Sequence, residues 1–155
     1  VRSTEQQHSF NCPYQFMRLP QALARKFPTL SYDRAEDCRT YRLDFSCGDL
    51  LLLFSDGVPD NLRDSEILHI VDCALSPVFA ELADMPSYAT SAESVARALA
   101  LAARERAFDP TARVPFGEYC RKHGYRHDGG KQDDITVVAA WLVPEDRTRC
   151  AGAGA

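Results

Sequence analysis

Two short apolar runs, each abutting an acid, constrain this chain more than any other feature. Residues 50–54 read Leu-Leu-Leu-Leu-Phe and stop abruptly at Ser55-Asp56-Gly57. Residues 135–143 are nearly all apolar, β-branched at the start, and follow directly on Asp133-Asp134. Continuous runs of this length predict strands buried on both faces. A carboxylate at the rim of a buried strand is costly unless it is capped, paired or bound to a cation. Were the two strands neighbours, Asp56 and Asp133 would also repel each other. A hard divalent cation, Mn²⁺ or Mg²⁺, relieves both problems, because it prefers one or two carboxylates completed by waters. Gly57 lets backbone come close to such a site. Asp-Gly is equally an ordinary turn dipeptide, and Asp starts turns and caps helices without catalytic duty. Each motif alone therefore fits a structural role; the pairing at two strand ends is what points to a metal.

The segments around these runs fit an α+β chain. Residues 40–46 alternate, with Tyr41, Leu43 and Phe45 opposite Arg42, Asp44 and Ser46, which predicts a half-buried strand. Cys47-Gly48-Asp49 reads as a tight turn, so residues 40–54 predict a hairpin. A helix follows, capped by Asp64 or Ser65, with Ile67, Leu68, Val71, Ala74 and Leu75 at helical spacing. A second helix opens on Thr90 and Glu93 as a capping box, carries Val95, Leu99 and Ala102 on one face, and ends near Phe108-Asp109-Pro110. Residues 116–123 predict a short helix stopped by Gly124. The polar stretch 1–31 contains Pro13, Pro20 and Pro28, which disfavour long helices. Residues 144–155, ending Ala-Gly-Ala-Gly-Ala, predict a disordered tail behind a folded part spanning 1–143.

Composition excludes several function classes. The length of 155 residues suits one domain, and 45% hydrophobic with 26% charged residues suits a soluble globular one. A net charge of −4 disfavours a nucleic-acid partner held by phosphate neutralisation. No apolar run approaches the ~18–20 residues of a transmembrane segment. The six cysteines have long, irregular spacings, no Cys-x-x-Cys and no secretory apolar segment nearby, which predicts reduced thiols and an intracellular setting. Cys73, on the apolar side of its helix, is expected to be buried. Cys120, His123 and His127 lack a clear fourth ligand for zinc, and both histidines read as exposed loop residues. Arg104 and Arg106 read as a solvated helix face. The chain opens on Val1, not Met, so its natural start is expected upstream.

The segments Gly-Asp-Leu-Leu-Leu-Leu-Phe-Ser-Asp-Gly-Val-Pro-Asp-Asn-Leu (48–62) and Gly-Gly-Lys-Gln-Asp-Asp-Ile-Thr-Val-Val (129–138) resemble the two carboxyl-terminal signatures of the metal-dependent protein phosphatases of the PP2C (PPM) family. Residues 3–16 and the stretch from Ala103-Arg104-Glu105-Arg106-Ala107-Phe108-Asp109-Pro110 to Val114-Pro115-Phe116-Gly117-Glu118-Tyr119-Cys120 resemble, more narrowly, its mitochondrial branch. The resemblance runs over about residues 1–143. It implies an antiparallel β-sandwich flanked by helices, present here as a partial, carboxyl-terminal domain. By the same resemblance Asp56 and Asp133 match metal ligands, and Asp60 matches an acid that contacts an additional, looser metal. Asp134 stands where the family often has Asn and reads as support for the ligands. The implied reaction is hydrolysis of phosphoserine or phosphothreonine in a phosphoprotein substrate by a water bridging two Mn²⁺ or Mg²⁺ ions. The branch implies a mitochondrial location.

The family's amino-terminal half supplies a bridging Asp-Gly, a further acid and a phosphate-binding Arg, and none has a counterpart upstream of Asp56. The chain therefore reads as the carboxyl-terminal part of a phosphatase, with weak metal binding by itself. The alternative is a catalytically inactive, phosphatase-like interaction module. A haloacid-dehalogenase-type enzyme is disfavoured, since Phe54 stands where that nucleophilic Asp would be. No sequence pattern specifies substrate identity or oligomeric state.

Overall fold

In the structure, a computed structural model, the leucine run pairs with the far acid-led run instead of with the residues just before it. The structure describes residues 1–16, 20–26, 33–75 and 91–143. The chain forms two compact units, Val1–Asp44 and Phe45–Ala155. In the first, strands β1 (Gln7–Ser9) and β2 (Cys12–Pro13) form a small hairpin, followed by helix α1 (Gln21–Lys26) and a 3-10 turn at Ala35–Asp37. Asn11 takes a left-handed φ of 52° at the hairpin tip, a conformation Asn tolerates better than most residues.

The second unit carries both acid motifs. Strand β3 (Leu50–Phe54) lies antiparallel to β4 (Val137–Trp141), with Leu50 opposite Trp141 and Phe54 opposite Val137. This register puts the end of β3, and hence Asp56, beside the start of β4, and hence Asp133. Between the strands in sequence come α2 (Asp64–Leu75), α3 (Ala92–Phe108) and α4 (Pro115–Lys122). Leu50, Leu52, Phe54, Val137 and Ala139 face a core of Val58, Leu62, Ile67, Val71, Val95, Leu99 and Ala103. On α3 the buried residues Val95, Leu99, Ala103 and Ala107 recur every four positions, one row along the helix. Each fully buried Val or Leu stabilises by about 1.5–3 kcal/mol.

Several expectations are corrected. Both strands are half-buried, not buried on both faces: Leu53 is 58% and Val138 53% exposed. Among the described residues the sheet has only two strands with helices on one face, so alternate side chains meet no second layer. Residues 40–46 form no strand, and Tyr41, Leu43 and Phe45 are exposed; alternation makes a strand only where a ladder partner exists. Helix α2 is preceded by Arg63, whose N–H donates to Glu66 Oε2 at 2.8 Å, so the reciprocal half of a capping box forms without a Ser or Asp cap. Ser91 precedes α3 without a side-chain cap bond, and Thr90 lies outside the described residues. Leu68 and Cys73 are exposed, Cys73 Sγ lying 3.6 Å from His69 Nε2. The thiols of Cys12, Cys38, Cys47, Cys73 and Cys120 are free; Cys150 and the tail 144–155 lie outside the described residues. No helix among the described residues is long and apolar enough to cross a membrane.

Arg106, expected on a solvated face, instead donates to Glu66 Oε1 at 2.7 Å. Arg63 bridges Glu66 and Glu118, so four side chains tie α2, α3 and α4 together. The bond from Arg63 holds the Glu118 carboxyl below the usual range.

Two glycines before β4 fasten its leading loop to the end of α3. A Cβ on Gly130 would lie 1.9 Å from the Arg106 carbonyl oxygen, and one on Gly129 2.8 Å from that of Pro110. Gly130 N–H donates to Asp109 O at 2.8 Å. Gly124, just past α4, has φ +79° but open space around it. Gly130→Ala is therefore expected to destabilise by more than about 2 kcal/mol, from forced backbone displacement. Gly124→Ala carries only the left-handed penalty of about 1–2 kcal/mol. Urea unfolding of both variants tests this, and the reverse order would contradict the packed loop.

Candidate metal centre

Ser55, one residue past β3, locks the two strand ends together. Its N–H donates to Thr136 O at 3.0 Å, its hydroxyl to Asp134 O at 2.8 Å, and its Oγ accepts the Thr136 N–H at 3.0 Å. The chain then turns tightly, Val58 N–H donating to Ser55 O and Asp60 N–H to Asp56 O at 2.9 Å. That single turn brings Asp56 and Asp60, four residues apart, to one side. Glycine is required at 57, where a Cβ would stand 2.5 Å from Asp134 O and 3.0 Å from Ile135 Cγ1.

Asn61 closes the arrangement. Its side chain is 1% exposed, and it is the buried polar residue of the described core. The amide nitrogen donates to Gly57 O at 2.9 Å and Lys131 O at 2.8 Å, while the amide oxygen accepts Lys131 N–H at 2.9 Å. One side chain thus satisfies three main-chain groups from the two acid-bearing loops.

Asp56, Asp60 and Asp133 converge as a result: one carboxylate oxygen from each lies within 4.8 Å of the others. The group is graded in exposure, with Asp56 open to solvent at 66% and Asp60 at 21%. The Asp134 N–H donates to Asp133 Oδ1 at 2.9 Å and fixes that carboxylate. Three hard oxygen donors at this spacing fit Mg²⁺ or Mn²⁺, which take a few carboxylates and keep waters. In the structure a cation of the chain's own sits among them. Lys131 Nζ lies 2.5 Å from Asp60 Oδ2, 2.9 Å from Asp133 Oδ2 and 3.5 Å from Asp56 Oδ2, and 4.7 Å from the Phe116 ring centre. Burial, the largest single influence, pulls the Lys131 pKa down, but the bonds to Asp60 and Asp133 outweigh it and hold the ammonium above the usual lysine range. The Lys131 bond, then the Asp134 N–H, keeps the Asp133 carboxyl below the usual carboxylate range.

All three acids singled out in the sequence meet here. Asp134 contributes through its main chain, its carboxylate lying outside the cluster. Cys120, His123 and His127 form no metal-holding group; His123 Nδ1 lies 2.9 Å from Tyr119 O, and Cys120 is buried. Asn61 and Lys131 went unnoticed in the sequence. An Asn in a Pro-Asp-Asn turn looks like any turn residue. The one available signal for Lys131 was a lone cation two places before Asp133.

Asn61→Ala would leave three main-chain groups unpartnered, each worth about 1–3 kcal/mol if it stays dry. A loss of at least about 3 kcal/mol in metal-free urea unfolding is expected; a loss under 1 kcal/mol would show that water replaces the amide. Lys131→Met leaves three carboxylates facing one another and is expected to lower metal-free stability by about 1–2 kcal/mol. An unchanged unfolding midpoint would show that the lysine does not hold the acids together.

No protein-family model matches the chain. Curated relatives do. A human protein phosphatase PTC7 homolog is 35% identical over 138 residues, covering 88% of this chain and 41% of its own length. The probable protein phosphatase 2C 80 of Arabidopsis thaliana is 33% identical over 142 residues, covering 92% of this chain and 29% of its own. Among solved structures, the X-ray structure of the photosystem II phosphatase PBCP superposes with a TM-score of 0.65 at 24% identity, covering 90% of this chain and 50% of that one. That likeness establishes the fold, an α+β arrangement corresponding to half of a PP2C phosphatase. The chain spans less than half the length of these curated relatives. It is a homologue of the PP2C-type protein phosphatases, matched over part of their length.

Proposed function

We propose that the protein carrying this chain is a metal-dependent phosphatase of phosphoserine and phosphothreonine in proteins, and that Asp56, Asp60 and Asp133 are its metal ligands on this side of the site. The observation that carries the reading is the convergence of three carboxylates from two strand ends onto one cation position. Homology to proteins named as protein phosphatases supports the same reaction class. Mn²⁺ or Mg²⁺, when bound, supplies positive charge that neutralises phosphoryl oxygens and acidifies water.

The chain's own residues do the rest. Asp60, partly buried, and Asp133, held by Lys131 and the Asp134 N–H, form the fixed wall of the site, and Asp56 forms its most solvent-facing side. Ser55 and Asn61 hold the two acid-bearing loops at a fixed separation, so cation binding needs little rearrangement of backbone. Lys131 neutralises the acids when no metal is present, and its ammonium must withdraw from Asp60 and Asp133 for a divalent cation to enter.

A specific observation also favours a second reading. A lysine engaged with all three acids is a self-satisfied cluster, the arrangement expected of an interaction module that never turns over substrate. The two readings separate in one experiment on the full-length protein. Hydrolysis of a phosphothreonine peptide is expected to require Mn²⁺ or Mg²⁺ and to fall more than about 100-fold in Asp56→Ala and Asp133→Ala. Full turnover in excess EDTA would overturn the metal-dependent reading, and Mn²⁺ binding by calorimetry without turnover would establish the module.

A further inference from the structure

The Lys131 ammonium is held unevenly among the three acids. Nζ lies 2.5 Å from Asp60 Oδ2 and 2.9 Å from Asp133 Oδ2, but 3.5 Å from Asp56 Oδ2, the longest of the three contacts. The Phe116 ring covers it from another side, its centre 4.7 Å away. That cover is fastened to the acid-bearing turn, because the Phe116 N–H donates to Asp60 O at 3.0 Å. The enclosure has an open side. The side chains of Lys131 and Asp60 are 16% and 21% exposed, whereas that of Asp56 is 66% exposed.

The lysine's main chain is not free to follow its ammonium. Asn61 accepts the Lys131 N–H at 2.9 Å and donates to Lys131 O at 2.8 Å. Movement is left to the four-carbon stem, which is flexible and carries a compact point charge with no planar geometry to satisfy. Charge gives the movement its direction. Three ionised carboxylates carry three negative charges, of which the ammonium balances one. A divalent cation has twice the charge and a preference for hard oxygens, so it gains more from the inner pair, Asp60 and Asp133, than an ammonium does. One negative charge then remains, and an ammonium kept beside Asp56 balances it.

We propose that metal uptake at this centre is an exchange: a divalent cation replaces the Lys131 ammonium between Asp60 and Asp133, and the ammonium swings outward to the solvent-facing Asp56. Lys131 is then the positioning residue that sets the metal affinity of the site. This exchange rests on the reading of Asp56, Asp60 and Asp133 as metal ligands. It gives Lys131 opposite effects on two states, since the ammonium holds the acids together without metal and holds metal out. A lysine merely lying nearby would weaken metal binding by repulsion, but its own exposure would not change when metal binds.

The test compares the 155-residue chain with Lys131→Met by calorimetric titration with Mn²⁺ and Mg²⁺ at one pH. Apparent affinity falls by the fraction of molecules whose site is free of the lysine, so a lysine-out state populated at about 10% or less makes Lys131→Met bind at least about 10-fold more tightly. A second readout needs no variant and decides the matter if Lys131→Met does not fold. The rate at which an amine-reactive ester modifies Lys131, followed by mass spectrometry, is expected to rise several-fold on saturation with Mg²⁺, while that of the exposed Lys122 stays constant. Metal binding by Lys131→Met alone would support the exchange in its strongest form. Equal affinities, or a Lys131 labelling rate that stays constant or falls, would overturn the exchange and leave the ligand assignment standing. Failure of both proteins to bind either metal would overturn the ligand assignment and the exchange with it.

Discussion

The second unit depends on one buried amide. Asn61 joins the main chain of the turn after β3 to the main chain of the loop before β4, and those two segments carry every acid of the candidate metal centre. Its burial is tolerable only because each polar atom of the side chain has a partner. The same condition makes it specific: a shift of either loop by one residue would strand the amide and expose its partners. Ser55 repeats the device one step nearer the sheet, replacing a ladder bond with its hydroxyl. Between them the acids are placed by main-chain hydrogen bonding, and their carboxylates need not find one another.

That placement creates a conflict that the rest of the site resolves. Three carboxylates with an oxygen of each within 4.8 Å of the others would repel at neutral pH. Lys131 resolves it from within the chain. Its backbone is held by Asn61, so the residue that orders the loops also delivers the counter-ion. A divalent cation bound among these acids would have to outcompete the Lys131 ammonium.

Much of this was legible in the sequence, and the reason is chemical. Asp56 and Asp133 could be singled out because acids abutting apolar runs are locally inconsistent, and such inconsistencies mark functional sites, whereas Asp60 was legible only through the family resemblance. Helices α2, α3 and α4 followed from periodicity and from Gly124, since their core faces are built from short-range repeats. What periodicity does not report is partnership. Residues 40–46 have the alternation of a strand but no ladder, and β3 and β4 look doubly buried although one face of each is open. Asn61, Lys131 and Arg106 escaped for the same reason: each has its role through a contact made 40 to 71 positions away or more, where no local pattern exists.

The exposed outer face of the β3–β4 pair connects these points. A two-stranded ribbon is marginal without support, and among the described residues support comes from the helices on one side only. Leu53 and Val138 are adjacent across the ribbon and both exposed, on the face opposite the core. The acids at the end of the ribbon are nonetheless fixed, because their anchors, Ser55 and Asn61, bond to main chain on the helical side and at the strand ends. The geometry of the candidate metal centre is therefore decoupled from whatever lies on the outer face. A half-covered sheet carries three converging carboxylates because their loops are held by hydrogen bonds at its rim, with sheet packing contributing only the platform.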